Sequence, residues 1–163
     1  MRSPRTSWLT AIDPGLDLIE ADDEAWKAAD AERLVGAALT ASIGQGRGVS
    51  VATKMLHLKR PRLFPVLDQL VAEMVGARIS PDAPSDLRAQ QATRLVLHLR
   101  EQGRNNVRVL RGIQAMLAGE KIERSLVRIL DAILWLSHPA AGIGGTRRIF
   151  ECRLAHEQTA PRR

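Results

Sequence analysis

The chain contains no tyrosine, two phenylalanines, three tryptophans and one cysteine in 163 residues. Aromatics make up 3% of it against 45% hydrophobic residues, so its core must be aliphatic, and that supply with little strict alternation leans helical. The single thiol, Cys152, excludes an internal disulfide framework and any multi-cysteine metal or iron–sulfur site from this chain alone, and fits a reducing compartment. No run approaches the length of a membrane span, and MRSPRTSWLTAIDPGLD has two arginines but no apolar signal segment, so a cytoplasmic location without a membrane partner is expected. His57, His98, His138 and His156 lack metal-ligand spacing, so neither a metal nor a cofactor is expected.

Acid is missing locally. Residues 1–32 hold 3 basic and 8 acidic side chains, whereas residues 33–67 hold Arg33, Arg47, Lys54, Lys59, Arg60 and Arg62 with no acid. Residues 68–138 add a net charge of +2 and residues 139–163 a net charge of +3, for a total of +6. A concentrated positive patch attracts phosphate backbones, by Coulomb attraction and by release of condensed counterions.

The length fits one domain. Pro4 and Asp13-Pro14-Gly15 mark an irregular arm over residues 1–20, anchored by Trp8 and Leu9. Six helices are expected after it, giving an all-α fold. The first, about 22–41, starts at Asp22 and Asp23, carries Trp26, Leu34 and Ala38, and has a Gly36 suited to close packing. The second, about 49–58, is stopped by Pro61, and the third, about 65–77, starts on Pro65 and ends near Gly76. The fourth, about 85–102, stops at Gly103 with Leu95, Val96 and Leu99 inward. The fifth, about 105–118, carries Val109, Leu110, Ile113 and Met116. The sixth, about 123–137, is apolar almost all round, so its C-terminal half and Trp135 are expected in the core. The tail 139–163 is Gly-rich and then basic, either a strand-like hairpin or disordered.

The chemistry concentrates between Ile43 and Val75. Gly44, Gly46 and Gly48 separate two helices, and a glycine turn leading into a helix N-terminus places backbone N–H groups where a phosphate can dock. Such glycines also serve as a plain flexible connection. The turn is not a P-loop, because Lys54 is not placed as that motif requires and no strand precedes it. Asp68 follows a proline that starts a helix, where its carboxylate either complements the helix dipole or works beside a phosphate-binding surface. Arg104, Arg108 and Arg111 recur at helical spacing, as a solvated face does.

Residues 43–75 resemble the helix-hairpin-helix core of the DNA glycosylase superfamily. Gly44-Gln-Gly46, or in another register Gly48-Val-Ser50, stands at the hairpin, RPRLFPVLD at the proline link and Asp68 at the aspartate position, with Thr53 where the family often has threonine. ATKMLHLKRPRLFPVLD and the later ERSLVRILDAILWLSHP look like an uncharacterised group of glycosylase-like proteins of high-GC bacteria. The resemblance implies DNA phosphates on Gly44, Gly46, Gly48 and Ser50, supported by Lys54, Lys59, Arg60 and Arg62. It implies Asp68 as the group that orients water or stabilises an oxocarbenium ion. No lysine falls at the Schiff-base position, which disfavours a lyase step and leaves a monofunctional N-glycosylase if the chain is an enzyme. Phe64 is the one nearby candidate for an aromatic wedge. The alternative is a non-catalytic helical interaction domain whose basic segment meets an acidic protein, or is masked by the acidic first 32 residues.

Overall fold

The structure, a computed structural model, describes residues 12–139. Seven helices occupy the described residues, with no strand among them: α1 Asp23–Ala28, α2 Ala31–Ile43, α3 Val49–Lys59, α4 Gln69–Met74, α5 Ser85–Asn105, α6 Val107–Gly119 and α7 Leu126–Ser137. The all-α expectation holds. Trp8, Leu9, Cys152, His156 and the tail beyond Pro139 lie outside the described residues.

Local chemistry sets the helix ends. The Asp22 carboxylate caps α1 by accepting from the Ala25 N–H at 2.7 Å. The single first helix expected over 22–41 is instead two, because Asp30 turns left-handed (φ 49°) and breaks the ladder. Gly76 (φ +68°) closes the turn after α4, a conformation that suits glycine.

The most extensive pairing is α2 against α5. Alanines Ala31, Ala38, Ala89 and Ala92 are all buried, and Gly36 faces Thr93, so the two backbones approach closely, as the small residues implied. Ile12, Leu18 and Ile19 from the segment before α1 also enter the core. Gly103 does not stop α5 but lies inside it, buried against Ile19. A Cβ there would come within 2.6 Å of the Ile19 side chain, which is itself enclosed. Gly103→Val is therefore expected to lower stability by about 1–3 kcal/mol through overpacking, seen as a lower urea midpoint with an unchanged slope.

Two helices turn other faces inward than their composition suggested. In α7 the buried residues are Leu126, Val127, Ile129, Leu130 and Asp131, all in the N-terminal half, while Trp135 is 40% exposed. In α6 only Leu110 is fully buried, and Met116 is 65% exposed.

Between α3 and α4 the chain runs without regular structure through the centre of the molecule. Leu63, Phe64, Pro65 and Leu67 are buried there, so this strap must find partners for its backbone polar groups. The Leu18 N–H donates to the Arg62 carbonyl at 2.9 Å, and His57 Nδ1 meets the Phe64 carbonyl at 2.7 Å. The Leu67 N–H donates to Thr53 Oγ1 at 3.0 Å, the Val66 N–H to Asp131 Oδ2 at 2.9 Å, and Ser125 Oγ to the Pro61 carbonyl at 3.0 Å. Pro65 thus sits within the strap and does not open a helix; the helix starts four residues later, at Gln69.

Candidate nucleic-acid interface

The glycine turn joins the end of α2 to the start of α3. Gly44 is the C-cap of α2, its N–H on the Thr40 carbonyl at 2.9 Å, and a Cβ at Gly44 would press to 2.8 Å from that same oxygen. Gly46 takes φ +77°, the left-handed conformation glycine permits. Gly48 is the N-cap of α3 and contributes no side-chain cap, so the first-turn N–H groups of Val49, Ser50 and Val51 lack intrahelical partners. Of the two glycine groups, Gly48-Val-Ser50 lies at a helix N-terminus and Gly44-Gln-Gly46 at a helix C-terminus. There is no acid in the first turn of α3, and Gly48 has open space where a Cβ would stand.

The basic side chains divide along α3. Lys54 is exposed at mid-helix and Lys59 at its end, roughly 14 Å along the axis from Ser50 at 1.5 Å per residue. Arg60 is half-buried and donates from Nη2 to the Ile12 carbonyl at 3.2 Å. Arg62 pairs with Asp17 and Glu20, each at 3.0 Å, and the hydrogen bond it donates to Asp17 raises its pKa above the usual guanidinium value. Gly44, Gly46, Gly48, Ser50 and Lys54 therefore share one end, whereas Arg60 and Arg62 belong to the far end, tied to the N-terminal segment. Masking by the acidic segment reaches Arg62, and Arg33 through Asp30; its other partners are Arg111 through Glu20, and Arg100 and Arg104 through Asp23.

Asp68 is the N-cap of α4, accepting from the Val71 N–H at 2.9 Å, and is half-buried. It emerges beside the first turn of α3, because Thr53 Oγ1 donates to the Val49 carbonyl at 2.9 Å and lies 3.5 Å from the Leu67 carbonyl. The structure thus brings Asp68 to the glycine-turn end. It does not place Asp68 on the wall of the three best-formed clefts in the described residues. Phe64 is fully buried, so its expected role as a wedge is corrected: the ring is core.

Sequence reasoning passed over Asp131. It is 3% exposed on α7, its Oδ2 accepts from Val66, and its Oδ1 has no hydrogen-bond partner. Burial pushes its carboxyl from 3.8 up to about 7; the Val66 N–H and the Arg128 charge oppose the shift and the nearby Asp68 charge adds to it. The signal was present, since an acid in LVRILDAILWL interrupts an otherwise apolar stripe.

The fold and this end of α3 define an all-helical protein with a glycine turn, an uncapped helix N-terminus and a capping carboxylate beside it. Residues 2–138 match a family described as a family of unknown function (DUF6308), and the chain belongs to it. No curated protein and no solved structure matches the chain. Among the described residues no helix is long and apolar enough to cross a membrane, and no group of His, Cys, Asp and Glu is arranged to hold a metal.

Proposed function

We propose that this protein binds DNA through the Gly44–Ser50 turn and the adjoining face of α3, in the manner of a helix-hairpin-helix. The observation that carries this reading is the N-terminus of α3. Its amides are uncapped, the helix dipole adds positive potential there, and no acid lies anywhere in residues 33–67 to repel a phosphate. Lys54, exposed one turn further on, supports the same contact, and Lys59 extends it along the backbone. Asp68 stands near the docked phosphate and, in the enzymatic version, stabilises the cationic sugar as a base leaves.

Fluorescence anisotropy with duplex DNA across a salt series tests the proposal. The Lys54→Ala, Lys59→Ala double variant is expected to bind more weakly and to lower the log–log salt slope by about 2, close to 0.9 for each lost phosphate contact. Absence of binding by the native chain at low salt would refute it. Asp68→Asn keeps an N-capping side chain, so loss of base excision with intact binding would assign the carboxylate to chemistry.

A second reading has its own observation. Val51, Met55 and Leu58 line up on the outer face of α3 at i, i+4 and i+7, and Leu58 is 82% exposed. An apolar stripe flanked by lysines suits an acidic amphipathic helix. That reading makes the chain a non-catalytic interaction domain.

A further inference from the structure

A cleft of about 1040 Å³ lies between the Asp17–Glu20 turn, the start of the strap, α6 and the α6–α7 loop. Its chemistry is unlike that of the glycine turn. Arg62, Arg111, Arg124 and Arg128 come to it from three separate parts of the chain, together with His57 and, at the rim, Glu123. Ala118, Ile122 and Leu126 supply an apolar wall.

Two of these arginines converge on one carboxylate. Glu20 Oε2 lies 3.0 Å from Arg62 Nη2, and Glu20 Oε1 lies 3.1 Å from Arg111 Nη2. The pair of anionic oxygens is thus shared between two guanidinium forks, an arrangement a phosphate reproduces with an oxygen to spare. Arg124 and Arg128 have no carboxylate within salt-bridge distance among the described residues.

The clamp is held from behind. Asp17, 5% exposed, accepts from Arg62 Nε at 3.0 Å, from the Ile19 N–H at 2.8 Å and from the Glu20 N–H at 3.0 Å. It therefore fixes both the orientation of Arg62 and the turn that carries Glu20. Ser125 Oγ on the Pro61 carbonyl and Gln114 Nε2 on the Arg124 carbonyl, at 2.7 Å, secure the rim. His57 engages the Phe64 carbonyl through Nδ1 and lines the cleft.

We propose that this cleft binds a phosphate monoester, and that Glu20 is the resident counter-ion the ligand displaces. A monoester approaches two negative charges at neutral pH, against the single charge of Glu20, and so matches a site with two forks and two further arginines. A diester carries one charge and has no such advantage over Glu20. The inference concerns a surface separate from the α3 N-terminus, so its failure leaves the DNA reading untouched.

Calorimetric titration with AMP and with inorganic phosphate, against sodium chloride of matched ionic strength, tests it. Saturable binding of AMP is expected, tightened about tenfold in Glu20→Gln and weakened about tenfold in Arg111→Gln, whose side chain is 63% exposed. If Glu20→Gln does not fold, Arg124→Gln replaces it, and a comparable loss of affinity supports the site. A short single-stranded oligonucleotide with and without a 5′-phosphate distinguishes a nucleic-acid end from a small metabolite: tightening by the 5′-phosphate, abolished in Arg111→Gln, assigns the site to strand ends. Binding of AMP that is absent from both the native chain and Glu20→Gln, or is unchanged in Arg111→Gln, overturns the proposal.

Discussion

Asp131→Asn is expected to be more stable than the native chain near pH 8, and to lose that advantage as the pH falls toward about 5. The native carboxyl titrates near 3.8 when unfolded and about 7 when folded, because the folded state buries it. Below the lower value both states are protonated and no stability is lost. Between the two values the unfolded chain releases its proton while the folded chain retains it, so stability falls by about 1.4 kcal/mol per pH unit. Above about 7 both states are ionised and the loss is complete, on the order of 4 kcal/mol. Asparagine keeps an oxygen for the Val66 N–H and removes the charge, at the cost of an amide placed where Oδ1 finds no partner. Setting that cost at about 1–3 kcal/mol leaves a net gain of roughly 1–3 kcal/mol under alkaline conditions. Urea denaturation at several pH values measures it; parallel pH profiles for the two chains would exclude Asp131 as the titrating group. Asp23 and Glu73 act with the opposite sign. A hydrogen bond from Arg100 holds the first below the ordinary carboxylate range, and hydrogen bonds from Gln69 and then His138 hold the second there, so both stabilise above that range and cease to do so in acid.

Phe64→Ala is expected to cost about 3–5 kcal/mol, a large share of the roughly 5–15 kcal/mol that keeps a domain folded. Phe64 heads the fully buried side chains by volume, in a protein with two phenylalanines. Other aliphatic residues cannot readily fill its space, since Leu63 and Leu67 beside it are themselves enclosed. The loss should appear in urea denaturation as a lower midpoint, and Phe64→Leu should recover most of it. A stable Phe64→Ala chain that had lost only DNA binding would point instead to a ring that leaves the core on binding.

Helix chemistry was legible in the sequence wherever local signals set it. Asp22 caps a helix, Gly76 closes one, and Leu95, Val96 and Leu99 face inward as their spacing requires. Errors arose where tertiary contacts overrode local preference. Asp30 takes a left-handed conformation that no composition announces, and Gly103 serves the approach of Ile19 and not a helix end. Apolar residues encircle α7, so periodicity could not say which half is covered. At the candidate interface the glycine turn and Asp68 were readable as a local pattern. The separation of Lys54 from Arg62 was not, because charge counted along a chain ignores the length of the helix between. Nor was the arginine cleft, whose members lie as far apart in sequence as Glu20 and Arg111, 91 positions.

The strap bears on how the chain folds. Its ties reach 14 positions to Thr53, 45 from Arg62 back to Asp17, 64 to Ser125 and 65 to Asp131. Contacts of such separation must close large loops before they are rewarded. On the ribosome, α2 and α3 emerge and can pair early, yet the segment that seats Asp68 lacks two of its anchors until α7 has been synthesised. The glycine turn is thus available to the nascent chain well before the carboxylate beside it is locked in place.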